Sequence, residues 1–324
     1  MKSTDTSDVL PSSASDTAPS EAVSEYLSSW AKAADTTDRE TTRELLVPLI
    51  CEISSVEGDQ LVVNGDLTLQ SLELVELPPG LRVCGDLDLC TALISLPPGL
   101  VVEKDLNLSD CASLRAIPDD LVVGGSIYLE ECSSLVSLPR KLHVKGSLEL
   151  SACSQLTSLP EDLEVSGNLR TTFCVSLRSL PNKLVVGGNL DLGLCSSLTT
   201  LPSILHVGGE LHLGHCYGLR ALPQDLRVGG SVLLNECSEL VSLPEDMSNI
   251  GGNLNVEGCK KLTRLPSSIF DWPLHSDGSL RYIYIGCTVS AVFQTAVPQD
   301  ERCCFTAAFA SPARGICNGV NANY

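Results

Sequence analysis

Leucine followed by proline, once isoleucine followed by proline, recurs in this chain with its proline at 78, 97, 118, 139, 160, 181, 202, 223, 244 and 266. The intervals are 19 residues once, 21 seven times and 22 once. Ten units at so even a period restrict the chain to an architecture of stacked, near-identical turns. The unit reads L-x-V-G-G-x-L-x-L-x-x-C-x-x-L-x-x-L-P-x-x and runs from Leu61 to Pro266.

L-x-V and L-x-L each alternate, so each places two apolar side chains on one face of a short strand. The glycine pairs between them, at 124–125, 187–188, 208–209 and 229–230, are predicted to supply positive φ at a tight corner. Two strands around two glycines also describe a β-hairpin. The constant repeat length favours a coil, because each strand then pairs with the same strand one turn on. Leu-Pro fixes φ and ends the pairing on a third side. No single turn buries its own leucines; neighbouring turns do that for one another. Apolar residues make up 43% of the chain and aromatics 4%, so the core is built from Leu and Val. The expected fold is a β-rich solenoid of about ten 21-residue turns. With strands about 4.8 Å apart it is roughly 45–50 Å long.

Cys90, Cys111, Cys132, Cys153, Cys174, Cys195, Cys216, Cys237 and Cys259 each stand seven residues before their proline. A small side chain that tolerates burial and carries a weak S–H donor suits a turn that leaves a carbonyl unpaired. These nine are read as a ladder of buried, reduced thiols, which fits a reducing compartment.

The flanks differ from the repeats. Residues 1–19 are rich in Ser, Thr, Asp and Pro and are read as a disordered leader. Residues 20–60 form a helical cap, with Val23, Leu27, Trp30 and Ala34 at helical spacing. Thr37 to Glu40 then has the form of a capping box, and Leu45, Leu46 and Leu49 follow it. Pro48 is expected to kink or restart that second helix. Residues 267–287 close the far end, with a strand in Ser279 to Cys287 and with Phe270 and Trp272 covering the last turn. Residues 288–324 show no period and are read as a poorly ordered tail. Apolar runs such as Leu45 to Ile53 fall short of the roughly 20 residues a membrane helix needs. No apolar signal segment follows Lys2. The net charge of −19 disfavours nucleic acid and anionic membrane as partners.

The middle residue of L-x-L faces away from the core. It reads Thr68, Asp88, Asn107, Tyr128, Glu149, Arg170, Asp191, His212, Leu233 and Asn255, and it is the least repetitive column of the phrase. Asp88 to Asn255 are the candidate protein-binding strip, with Tyr128, Arg170 and Leu233 as interface-type residues; a merely solvated face is the alternative. The column two residues earlier (Asp66, Asp86, Asp105, Ser126, Ser147, Asn168, Asn189, Glu210, Ser231, Asn253) is read as bonding local backbone at corners, with calcium as the rival. His206, His212 and His215 fall within one turn and are read as surface residues, not a zinc site. Cys303, Cys304 and Cys317 lie outside the ladder and are read as free thiols, with a disulfide or an acylation site as the alternatives. No Ser-His-Asp set, phosphate loop or paired metal motif appears. No catalytic residue, metal or cofactor is expected, and the chain is expected to be a monomer.

L-x-L-x-x-C-x-x-L-x-x-L-P resembles the leucine-rich repeat, with Cys where many members carry Asn. The resemblance covers about two thirds of the chain and implies a right-handed solenoid with a parallel sheet along one side. The added L-x-V-G-G gives the back of each turn a second strand-like segment, which leaves no room for helices there. The Ser/Thr-rich leader, the Trp-bearing helix around Trp30 and the Leu-Pro repeats together resemble bacterial type III effectors, including those with a novel E3 ubiquitin ligase domain. That resemblance implies export into a host cytosol and binding of a host protein; otherwise the reading is cytoplasmic. The ligase of that group is a large helical domain with a Cys-x-Asp nucleophile. Here 58 residues follow Pro266, too few for it, and the Cys-x-Asp of Cys84-Gly85-Asp86 sits on a repeat corner. The alternatives are the substrate-recognition arm of a ligase-type effector and an intracellular structural or immunity protein.

Overall fold

The computed structural model describes residues 21–33, 37–50, 54–58, 60–69, 74, 76–89, 93–271 and 281–285. The Leu-Val-rich turns stack as a coil with parallel strands on two sides. On the front, each L-x-L contributes one strand to an eleven-stranded sheet, from Leu67–Thr68 to Ile283–Tyr284. Like residues stand opposite like: Leu148 pairs with Leu169, and Leu169 with Leu190. On the back, the L-x-V segments form two five-stranded sheets, the first completed by Ser54–Glu57, divided between Val122–Val123 and His143–Val144. The third side carries single parallel bridges just before Leu-Pro, such as Ala116 to Ser137 and Ala221 to Ser242. The leucines of all three sides meet in one continuous core. Among the described residues, no helix lies between Gln60 and Pro266.

Pairing within the coil is parallel, so the glycine pairs are corners and not hairpins. Their conformation departs from expectation: the glycines with positive φ are Gly58, Gly80, Gly99 and Gly258, and none belongs to a named pair. Close stacking is the reason for the pairs. A Cβ on Gly208 would lie 2.0 Å from the Gly187 carbonyl oxygen, and one on Gly209 would lie 2.0 Å from Asn189 Oδ1. Positive φ falls instead on the residue before each cysteine: Asp110, Glu131, Ala152, Phe173, Leu194, His215 and Glu236, all between 58° and 63°. The 19-residue turn lacks the two residues ahead of Cys90, so this corner begins only at Asp110.

At the N-terminal end, α1 (Glu21–Ala33) buries Val23, Leu27, Trp30 and Ala31. Ala34 lies outside the described residues. Helix α2 (Thr37–Ile50) runs through Pro48 without restarting there; with two residues left in the helix, the missing N–H costs one bond of its last turn. Leu46 and Ile50 are buried, whereas Leu49 is exposed. The Glu40 carboxylate accepts from the Arg43 guanidinium; the Thr37 side chain of the capping box lies outside the described residues. A strand, Ser54–Glu57, then pairs antiparallel with Gln60–Val63, so the cap includes a hairpin as well as helices. At the other end, Ile283–Tyr284 extends the front sheet from Leu254–Asn255. Ser267–Asp271 is a short 3-10 helix; the Phe270 side chain and Trp272 lie outside the described residues.

Candidate protein-binding face

Two ladders hold the turns in register and so fix the front face. The first is the thiol column. Cys111, Cys132, Cys153, Cys174, Cys195, Cys216, Cys237 and Cys259 are free and fully buried, while Cys90 lies outside the described residues. Each thiol donates to a carbonyl of the previous turn: Cys153 Sγ to Leu129 O and Cys174 Sγ to Leu150 O, both at 3.1 Å. That carbonyl is not unpaired, because Leu129 O also accepts the Cys132 N–H at 3.3 Å. The bond spans 24 residues in the regular turns, 22 across the shortened turn (Cys111 to Leu89) and 25 across the lengthened one (Cys259 to Leu234). Stacking therefore sets the ladder, and length differences are absorbed at the corners. Burial pushes the thiols of Cys132, Cys174, Cys237 and Cys259 up to about 12. Cys195 rises less, to about 11, because the hydroxyl of buried Thr171 stands 3.7 Å from its sulfur and opposes the burial effect.

The second ladder is the polar column two residues before the strip. Its side chains bond the next turn and not the local backbone. Asp86 Oδ1 accepts the Asp105 N–H at 2.9 Å, Asn168 Oδ1 the Asn189 N–H at 2.8 Å, and Asn189 Oδ1 the Glu210 N–H at 2.8 Å. This ladder also engages Asp86 of Cys84-Gly85-Asp86. Its backbone N–H donates to Asp66 Oδ1 and its carboxylate accepts from Asp105.

The strip residues stand in register across the front sheet. Thr68 is exposed, and Asp88, Asn107, Tyr128, Arg170, Asp191, His212, Leu233 and Asn255 are half-buried. Glu149 departs from the expected exposure at 7%. Its neighbour Arg170 lies over it, with Nη1 3.4 Å from Glu149 Oε2 and Nε 3.9 Å from Asp191 Oδ2. His212 continues the chain of charge, 4.0 Å from Asp191 and 3.1 Å from Glu210. Burial raises the Glu149 carboxyl above the ordinary carboxylate range; Arg170 opposes this, and Glu130 and Asp191 add to it. Among the described residues, the Ser151 Oγ and Thr172 Oγ1 atoms, buried on these two adjacent turns, find no hydrogen-bond partner, and Glu149 Oε2 has the ion pair with Arg170. His206 sits in the back sheet, away from His212, and His215 contacts Tyr217 at 3.1 Å. Among the described residues, no group of three or more His, Cys, Asp or Glu is placed to hold a metal ion.

Charge and aromatic character divide the face. Towards the N-terminal end, Asp86, Asp88, Asp105, Asn107, Tyr128 and Glu130 line a shallow groove of about 280 Å³. Towards the C-terminal end stand Leu233 and two exposed tyrosines that sequence reasoning left out of the strip. Tyr284 pairs with Asn255 and so occupies the same column; Tyr282, with its ring centroid 6.4 Å from that of Tyr284, occupies the polar column. The signal was present, since Tyr282-Ile283-Tyr284-Ile285 repeats the apolar alternation of L-x-L. Phe173 and Tyr217 project from the adjacent corner and are also exposed.

No family profile matches the chain, and no curated protein matches it. Among solved structures, the leucine-rich repeat domain of the type III effector XopL is similar at 21% identity, over 80% of this chain and 88% of that one, with a TM-score of 0.32. No helix among the described residues is long and apolar enough to cross a membrane. By its repeated phrase, and by the parallel coil which that phrase builds, the chain is a β-solenoid of leucine-rich turns.

Proposed function

We propose that the chain is a non-enzymatic interaction module that binds another protein through its front sheet. One observation carries this reading: a chain with 4% aromatic residues exposes Tyr282 and Tyr284 on this one face, with Tyr128 half-buried towards the other end of the strip. Aromatic and arginine side chains dominate the energetics of protein interfaces, and a rigid sheet presents them with little ordering cost. Capture from host-cell lysate with the wild-type chain and with the Tyr128→Ala/Arg170→Ala variant tests it. Partners are expected to fall away with the variant; an unchanged set of partners contradicts the reading.

The finer reading is a bacterial effector, exported by a type III apparatus and acting on a host protein as a monomer. The Ser/Thr-rich composition of residues 1–19 supports it. A reporter fused to residues 1–50 is then expected to leave a bacterium that carries such an apparatus. Retention of the reporter removes the effector reading and leaves the binding face untouched.

A further inference from the structure

Among the described residues, the N-terminal half of the front sheet gathers carboxylates of one sign. Asp86, Asp88, Asp105 and Glu130 line its groove together with the Tyr128 ring, and the groove lining includes no lysine or arginine. Lys104, at its border, is occupied with Asp66 at 3.3 Å. No metal ion suits the arrangement, because these carboxylates do not converge. Asp86 and Asp105 are tied to backbone N–H groups and hold their charge in place along the groove floor. At the inner end of this tract lies Glu149, opposite Tyr128 in register and buried beneath Arg170, whose Nη1 stands 3.4 Å from Glu149 Oε2. The group that covers this buried carboxylate, Arg170, is itself half-buried at the surface, so a cation from outside can reach the same place.

Resting on the proposal that this face binds protein, we infer that the half from Asp86 to Glu149 takes an extended, lysine- or arginine-rich segment of the partner. The carboxylates attract such a segment over the roughly 8–10 Å that salt permits. The Tyr128 ring offers its face to an ammonium or guanidinium group. A cation arriving over Glu149 displaces Arg170 without stranding it, because Asp191 already stands 3.9 Å from the Arg170 guanidinium. The tyrosine-bearing C-terminal half is left for apolar parts of the same partner.

The test uses the full chain and a fluorescein-labelled synthetic peptide of alternating lysine and serine, with its glutamate counterpart as control, read by anisotropy. The lysine peptide is expected to bind at low salt and the glutamate peptide not to bind. Asp88→Asn/Glu130→Gln, two near-isosteric changes, is expected to weaken binding roughly tenfold, on the scale of two surface charge pairs. Glu161→Gln/Asp162→Asn removes the same charge from exposed positions outside the groove and is expected to leave binding within about twofold. Matching thermal midpoints confirm that the variants are folded. Equal losses in the two variants, or no loss in the first, overturn the inference. Should Tyr128→Ala/Arg170→Ala abolish capture of a cellular partner while Asp88→Asn/Glu130→Gln leaves both that capture and the peptide unaffected, the binding face stands and the basic segment does not.

Discussion

At the scale of single residues, the least legible feature is the column of positive φ before each cysteine. Its occupants are Asp, Glu, Ala, Phe, Leu and His, and only Gly258 announces the conformation by its type. An L-residue held there costs about 1–2 kcal/mol. Exposed Glu131 at φ 58° isolates this cost from packing. Glu131→Gly is expected to raise stability by up to about 1 kcal/mol in urea unfolding, and Glu131→Val to lower it by about 1–2 kcal/mol. Glu149 was equally hidden, since its burial depends on a neighbour 21 residues away that covers it. Its carboxyl is raised by burial, so the native state holds this proton more tightly than the unfolded chain does. That contribution is full below the ordinary carboxylate range and is lost as pH rises through the native value. Glu149→Gln is therefore expected to raise the thermal midpoint at pH 7 and to leave it unchanged at pH 4, with half-exposed Arg170 retaining Asp191 and water. A midpoint that falls at pH 7 would show that the ion pair outweighs the burial.

At the scale of elements, strand positions were legible because the alternation in L-x-V and L-x-L is strict and the period is constant. What the glycine pairs do was not, because their reason lies in the preceding turn. The sequence shows that Gly208-Gly209 is small; only the stack shows what would be hit. Gly209→Ala must displace Asn189 Oδ1, which accepts the Glu210 N–H. It is expected to cost about 1–3 kcal/mol. Hydrogen exchange localises the effect: the Glu210 amide and the strands on either side should lose protection first. Loss spread evenly over the chain would mean that the ladder is not what holds this corner. The polar column was read with the right role at too short a range, for the same reason. Asn and Ser types announce backbone bonding but not whether the partner is local or one turn away.

At the scale of the whole molecule, the coil makes stability a property of neighbours and leaves one broad face free of that duty. The front sheet carries an acidic groove around Tyr128 towards one end and Tyr282 and Tyr284 at the other, on a column that, Glu149 apart, stays out of the core. That column was legible as a strip, and Tyr284 would have joined it had the alternation in the closing strand been extended into the same register. The account depends on turns packed closely enough to seal the thiol column. Native-state alkylation at pH 8, mapped peptide by peptide, tests this most directly. Half-buried Cys84 is expected to react before the ladder, and Cys111 to Cys259 to stay unmodified until denaturant opens the stack, since burial shields them and keeps Cys132 to Cys259 protonated. Rapid modification of Cys132, Cys153 or Cys216 without denaturant would contradict the stacked coil and the face it supports.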